Sequence, residues 1–397
     1  MLRSWFFKWY RQSMLIEIKG VQFVNKGAEL MLYAILEQFK IHLPDAEVCL
    51  AHNVNSPYSK RAAIGAFQKV NLRKNVFDFS FLFSFLPIKT RHYFKHRFGI
   101  VTELDVDVVL DASGFSYGDQ WSDVVLQQVA NEVTRFKKAN KKYIFMPQSL
   151  GPFTRNKNKR YAHQAFSNAS LVFAREKPSL EHIKQFDSEN TNLFMAPDFT
   201  NLVCPLADGK FLKYKNHLIV IPNSKMLSSK NKDIDWKTNY VEVIKTLIEK
   251  ALSLGEQVVI LNHSGKDDAP LCKAIQNELS VPCDIVEPVT AIEVKAVIGN
   301  AKAVVSSRFH GCVSALSQGV PCIATGWSHK YLELFKEYNS EHLLLDSKSS
   351  NTLLFELLNA VLNPEPQWLE SLNYNATDYK KQTQDMWGKV IATIKSN

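Results

Sequence analysis

An α/β protein built on parallel sheets is the fold this sequence predicts, and three observations predict it. Short apolar runs, such as residues 107–112, 218–221 and 303–306, alternate with longer segments of helical spacing. The alternation breaks once, at about residues 204–216, where Pro205, Gly209 and a Lys-rich run intervene, and then restarts. At 397 residues the chain is also too long for one ordinary core, so two domains of roughly 150–200 residues are expected. Repeated β–α units place helices on both faces of a parallel sheet, which gives two Rossmann-like domains facing each other across a cleft.

Taken in order, residues 14–19 form a strand, 20–26 a loop, and 27–39 a helix with Leu30, Ala34 and Leu36 apolar. Residues 46–52 are the second strand and 60–67 a helix. Residues 77–98 are rich in Phe and then basic, and read as an irregular, partly exposed insertion. A strong strand at 107–112 ends in Ser113-Gly114. A helix at 124–139, a strand at 143–147, a helix at 158–167 and strands at 171–174 and 192–196 complete the first half. After the break, strands at 218–221, 257–261, 284–286, 303–306, 320–324 and 343–345 alternate with helices at 238–253, 268–279, 291–300 and 309–316. Helices at 353–362 and 368–394 close the chain. The expected domains are 14–204 and 217–365, with 1–13 a tail and 366–397 a helix packing back on the first domain.

Hydrophobic residues are 46% and charged residues 22%, the balance of a soluble globular enzyme. The formal net charge of +9 favours anionic partners: nucleotides, phosphorylated small molecules, acidic glycans or a membrane surface. That charge is spread along the chain rather than gathered in Lys/Arg blocks, which argues against nucleic acid. The 6 cysteines are scattered, with no C-x-x-C pair; this fits a reducing cytoplasm and argues against a disulfide framework or a zinc site. The 11 histidines hold no H-E-x-x-H pattern, and no metal is expected. The aromatic, basic start, residues 1–13, is too short to span a bilayer and lacks a signal-peptide core. It reads as a frayed tail ahead of Met14, with an interfacial segment on an anionic membrane as the alternative.

The chemistry concentrates in residues 303–330, which read strand, tight turn, helix, strand. Val304-Val305 is the strand, Ser306 and Ser307 are candidate helix caps, and Gly319 stops the helix. Arg308 and His310 flank Phe309 at the helix N-terminus, where free backbone N–H groups and the helix dipole already favour an anion. A guanidinium and an imidazole there make a site for a phosphate or a carboxylate. Solvated surface roles for the pair are the alternative.

Three further strand-end loops are unusual. Residues 111–119 (DASGFSYGD) place Ser113, Gly114, Gly118 and Asp119 after a strand, where small residues let a ligand approach the backbone. Gln148 and Ser149 follow a second strand, and Arg175-Glu176 with Ser179 a third. Together and in this order these elements resemble the polysaccharide pyruvyltransferase family. The resemblance runs from about Ile16 to Lys330. It takes in Asn25-Lys26-Gly27-Ala28-Glu29, Gln148-Ser149-x-Gly151-Pro152-Phe153, Arg175-Glu176-x-x-Ser179, Ala196-Pro197-Asp198, Ser307-Arg308-Phe309-His310, Gly319-x-Pro321 and Lys330. One departure is Ser113-Gly114, where the family often has a Gly-Gly pair.

The resemblance implies a pair of Rossmann-like domains similar to the GT-B glycosyltransferases, an acceptor-side N-terminal domain and a donor-side C-terminal one. It implies transfer of pyruvate from phosphoenolpyruvate (PEP) to a sugar as a ketal, with no cofactor. Arg308, His310 and Arg175, with Lys330, would hold PEP; His310 is the expected general acid, and Asp119, Glu29 or Asp198 the base. Asn25, Gly27, Ser113, Gly114, Gln148, Ser149 and Asp198 are expected around the acceptor or in its loops. The acceptor would be a sugar of a surface polysaccharide or a lipid-linked oligosaccharide. The protein would then be cytoplasmic, with peripheral contact at the inner face of the membrane through the basic aromatic segments 5–11 and 92–97. Tyr117, Trp121 and Trp327 are candidates for stacking on sugar rings. Two other functions stay open: a GT-B glycosyltransferase with a nucleotide-sugar donor, and a non-catalytic glycan-assembly protein. Against the first, no G-x-G-x-x-G or P-loop run is present, and Asp105-Val106-Asp107 precedes its strand rather than following it.

Overall fold

The computed structural model describes residues 13–74, 77–205, 209–229, 231–326 and 329–396. The aromatic N-terminal segment 5–11 and Trp327 lie outside them. The chain divides into two compact units. The first holds the described residues up to Val21, Ile35–Met195, and Gly388 onward; the second holds Gln22–Ala34 and Ala196–Trp387.

In chain order, the first part of the fold runs β1 (Leu15–Lys19), α1 (Lys26–His42), β2 (Glu47–Ala51), α2 (Tyr58–Ala63), β3 (Phe67–Lys69), β4 (Arg73–Lys74), β5 (Phe77–Asp78), α3 (Ile88–Phe98), β6 (Ile100–Val101) and β7 (Val108–Asp111). It continues through α4 (Asp123–Lys138), β8 (Lys142–Gln148), α5 (Asn156–Asn168), β9 (Leu171–Ala174), α6 (Lys177–Lys184) and β10 (Leu193–Met195). Eight of these strands make one sheet in the order β10-β9-β8-β7-β1-β2-β3-β6, every pairing parallel, while β4 and β5 pair antiparallel beside it.

The second part runs β11 (Leu218–Ile221), α7 (Ile234–Ser253), β12 (Val258–Leu261), α8 (Ala269–Glu278), β13 (Asp284–Val286), α9 (Ala291–Gly299), β14 (Ala303–Ser306) and α10 (Phe309–Leu316). It ends with β15 (Cys322–Thr325), α11 (His329–Glu337), β16 (Leu344–Leu345), α12 (Asn351–Leu362) and α13 (Pro366–Lys395). Its sheet is parallel throughout, in the order β13-β12-β11-β14-β15-β16. Two α/β units, each with a parallel sheet, are the fold class the alternation predicts. The last residues of α13 belong to the first unit, where Lys142 Nζ donates to the Ile394 carbonyl at 3.3 Å.

The strands VVLD, LVFA, LIVI, VVIL and AVVS are buried along their whole length. Parallel strands covered by helices on both faces read as near-continuous apolar runs rather than alternating ones, with the polar Asp111 and Ser306 only at the ends that carry loops. Helix starts are fixed locally: Asp233 accepts from the Trp236 N–H at 3.0 Å to cap α7, and Thr290 with Glu293 forms a capping box on α9.

Several expectations are corrected. The helix expected at 60–67 stops at Ala63, and Phe67–Lys69 is a strand; its sequence, FQK, carries too little β-branched signal to announce one. The irregular insertion at 77–98 contains a full helix, α3. Helix α6 and helix α11 had no predicted counterpart. Ser306 and Ser307 do not cap α10. Arg308 holds the cap position, and Ser307 Oγ is turned inward on Tyr240 Oη at 2.6 Å and on Thr325. No helix of the described residues is long and apolar enough to cross a membrane.

Candidate active site

Parallel strands deliver their following loops to one edge of a sheet, which is where ligands bind in open α/β folds. In the second unit β14 delivers the Ser307-Arg308 turn and the start of α10. The turn is held from several sides: Asn223 Nδ2 and Tyr331 Oη both donate to the Ser307 carbonyl, at 2.8 and 2.9 Å. Ser306 Oγ accepts from the Arg308 N–H at 3.1 Å. A turn held by this many hydrogen bonds cannot relax far when a ligand arrives, so it is preorganised.

Arg308 is not an open cation. Its Nε donates to Asp268 Oδ2 at 2.9 Å and its Nη2 to Asp268 Oδ1, a two-point clamp on a fully buried carboxylate. Asp268 is fixed in turn by the Ser224 N–H at 3.0 Å. The clamp leaves Nη1 outside the pair and fixes the guanidinium plane. Part of the donor fork is thus used within the protein, and only the rest is left for the phosphate or carboxylate expected at this turn.

His310 stands on the first turn of α10, and the first turn of α1 lies against it. A Cβ built on Gly27 would fall 2.3 Å from His310 Nδ1, so only glycine allows this approach. Asn25 fixes the start of α1, its Oδ1 accepting from the Gly27 N–H at 3.0 Å. On the other side, His310 Nε2 is 3.6 Å from Asp198 Oδ2. Asp198 is buried, and its Oδ1 is occupied by the Thr200 N–H at 3.1 Å and the Thr200 hydroxyl at 2.6 Å. The second carboxylate oxygen is thus the one turned to the imidazole.

Lys26 Nζ donates to Glu29 Oε2 and to the Val289 carbonyl, both at 2.6 Å. Glu29 is buried in that ion pair, which lowers its value as a base and corrects its expected role. Lys330 Nζ lies over the Phe309 ring, 4.7 Å from its centroid.

His263 is the residue sequence reasoning missed. It follows β12 at the same sheet edge and is 3% exposed. Burial first, then the charges of Arg308, His310 and Lys26, push its pKa well below the ordinary histidine value, so the ring is neutral at pH 7. Its Nδ1, Asn262 Oδ1 and Ser264 Oγ are buried with no hydrogen-bond partner among the described residues. Three such atoms in consecutive residues are costly in a fold unless a ligand or solvent meets them.

The first unit gathers the other predicted residues. Asp111, at the end of β7, accepts from Tyr117 Oη at 2.6 Å, Tyr143 Oη at 2.9 Å and the Ser113 hydroxyl at 2.5 Å. Burial, and then the Asp111 carboxylate, push both phenols well above their ordinary range, so they stay donors. Gln148 Nε2 donates to the Asp111 carbonyl at 3.1 Å, and the Ser149 N–H to the Gly114 carbonyl at 2.9 Å. Arg175, also buried, donates to Ser149 Oγ at 2.7 Å and stands 3.6 Å from Glu176 Oε2. Like Arg308, it carries its own carboxylate.

Asp119 is corrected as a base. Its carboxylate accepts from the Thr154 hydroxyl at 2.6 Å, Asn158 Nδ2 at 2.8 Å and Arg155 Nε at 3.2 Å. Burial raises its pKa, but these hydrogen bonds outweigh that and bring it from 3.8 down to about 2. Folded-state depression means stability present above about pH 4 and lost as the pH falls toward 2. An Asp119→Asn variant should therefore show a flatter acid-unfolding profile across that window while keeping its turnover. A loss of turnover of more than about tenfold would restore Asp119 as a base.

Among the described residues no three His, Cys, Asp or Glu side chains are gathered as a metal ion would require. The sequence profile described as polysaccharide pyruvyl transferase matches residues 25–329. No curated protein matches the chain. Similar solved structures include UDP-GlcNAc 2-epimerase from Neisseria meningitidis bound to UDP-GlcNAc, at 9% identity and a TM-score of 0.59, covering 96% of this chain and 100% of that one. The Methanocaldococcus jannaschii UDP-GlcNAc 2-epimerase in complex with UDP-GlcNAc and UDP gives 13% identity and a TM-score of 0.55, covering 94% and 100%. At such identity the likeness is one of fold, the GT-B type of paired Rossmann-like units.

Proposed function

Since the chain belongs to the polysaccharide pyruvyl transferase family, we propose that it transfers pyruvate from PEP to a sugar of a surface polysaccharide or its lipid-linked precursor, forming a ketal. The observation that carries this is the setting of His310: an imidazole on a helix N-terminus, pressed against Gly27, with Asp198 behind it and the Arg308 clamp beside it in sequence. In this reading the remaining Arg308 Nη1 and the backbone N–H groups at the start of α10 hold an anionic group of PEP. His310 gives a proton to the methylene carbon, and C2 becomes electron-poor. A first sugar hydroxyl adds to C2 and gives its proton back to the imidazole. A second hydroxyl then displaces phosphate, which carries off that hydroxyl's proton, and the ring closes. Asp198 acts by orienting the imidazole rather than as the base. Neutral His263, with Asn262 and Ser264, supplies uncharged hydrogen-bonding capacity at the same edge.

Mass spectrometry after incubation with PEP and a pool of glycan precursors tests this: a product heavier by one pyruvyl ketal, with phosphate released, is expected. The competing nucleotide-sugar reading predicts instead a melting shift with UDP or GDP and none with PEP.

Gly27→Ala gives a narrower test. The added methyl would force His310 aside, and a displacement of about 1 Å costs roughly 10²-fold in rate. Turnover should fall by tenfold or more while the fold persists, and an unchanged kcat would mean that this contact does not set the position of His310.

A further inference from the structure

Helix α3 is built inside out. Arg91 and Lys95, one turn apart, point into the first unit, where Arg91 pairs with Asp105 and Lys95 with Glu47. Their side chains are only 13% and 6% exposed. Tyr93 and Phe98 meanwhile are 59% and 54% exposed, with Phe94 beside them, the three rings touching edge to face or tilted at 5.8–6.0 Å. The turn before the helix adds Phe85 at 77%, and the helix opens on Ile88 at 59%. A surface helix in water normally does the reverse, burying apolar residues and exposing charged ones. Contiguous exposed aromatic surface marks a place where something other than water is met.

Charge selects the partner. Between Asp78 and Glu103 there is no acidic residue, while Lys89, His96 and Arg97 are exposed on the same element. A second copy would bring this patch against itself, cation to cation. Aromatic rings interleaved with Lys and Arg suit the headgroup layer of an anionic bilayer, where the rings enter the boundary and the cations meet phosphates. We propose that the surface formed by Phe85, Ile88, Tyr93, Phe94 and Phe98, with Lys89 and Arg97, docks the protein on an anionic lipid membrane. It does not depend on pyruvyl transfer.

Sedimentation of the full chain with vesicles of phosphatidylcholine alone, and of phosphatidylcholine with phosphatidylglycerol, tests this. Binding is expected to the anionic vesicles only, and to weaken as salt rises. The variant Phe85→Ser/Tyr93→Ser/Phe98→Ser should bind about tenfold more weakly or worse, and so should Lys89→Glu/Arg97→Glu, which leaves the apolar surface intact. Neither should change transfer to a water-soluble acceptor. The proposal is overturned if the protein stays in the supernatant with both vesicle types, or if the charge-reversal variant binds as the parent does. It is also overturned if the same substitutions abolish a dimer seen by analytical ultracentrifugation, since the patch would then bind a second copy.

Discussion

Replacing His310 with Ala should lower turnover by roughly 10²–10⁴-fold, the usual loss when a positioned proton donor is removed. The side chain sits between Gly27 and Asp198, so its truncation leaves a small space beside a glycine rather than an unpaired buried charge of its own. The melting temperature should therefore move by only a few degrees. Asp198→Asn gives a companion measurement. It keeps the shape and the Thr200 contacts but removes the charge facing the imidazole, so it should lower kcat less than loss of His310 itself and shift the pH–rate profile. Near-normal pyruvyl transfer by His310→Ala would remove this residue from the chemistry.

The second large effect is expected at Asp268. Substitution with Ala leaves the Arg308 guanidinium, 11% exposed, without the carboxylate it was folded around. Breaking such a pair from one side costs about 3–5 kcal/mol, or about 10 °C in melting temperature for a domain of this size. Asp268→Ala combined with Arg308→Met removes both charges and should recover most of the lost stability. PEP binding should not return with it, because the donor atom proposed to hold the anion is gone. A single variant that melts like the parent would show that the clamp contributes nothing to the fold. A double variant that still saturates normally with PEP would show that Arg308 does not hold it.

The turn at Ser307–His310 was legible in the sequence because its elements are local: a β-branched strand, a turn and a helix N-terminus follow one another within a dozen residues. What holds that turn was not. Asp268 lies 40 residues earlier in the chain and reaches Arg308 only through the parallel pairing that brings β12 and β14 to either side of β11. The same limit hid the burial of Glu29 in an ion pair and the saturation of Asp119, since a carboxylate in a sequence shows its type and not its partners. His263 carried a signal that was passed over. A histidine two residues past a wholly apolar strand stands in the position that made Arg308 noticeable, but it lacks a charged neighbour to draw attention to it. Helix α3 was missed for another reason. Its apolar periodicity is weak, because Ile88, Tyr93, Phe94 and Phe98 are interleaved with basic residues, so patterning finds no helix there.

The partition of α1 has a practical corollary. Gln22–Ala34 travel with the second unit although more than 150 residues of the first intervene before Ala196. A fragment begun at the Cys204–Asn216 break would carry Arg308 and His310 yet lack both Gly27 and Asp198. Such a truncated fragment is expected to be inert by itself, and splitting the gene at that break would require the two pieces to complement each other before any imidazole chemistry resumed.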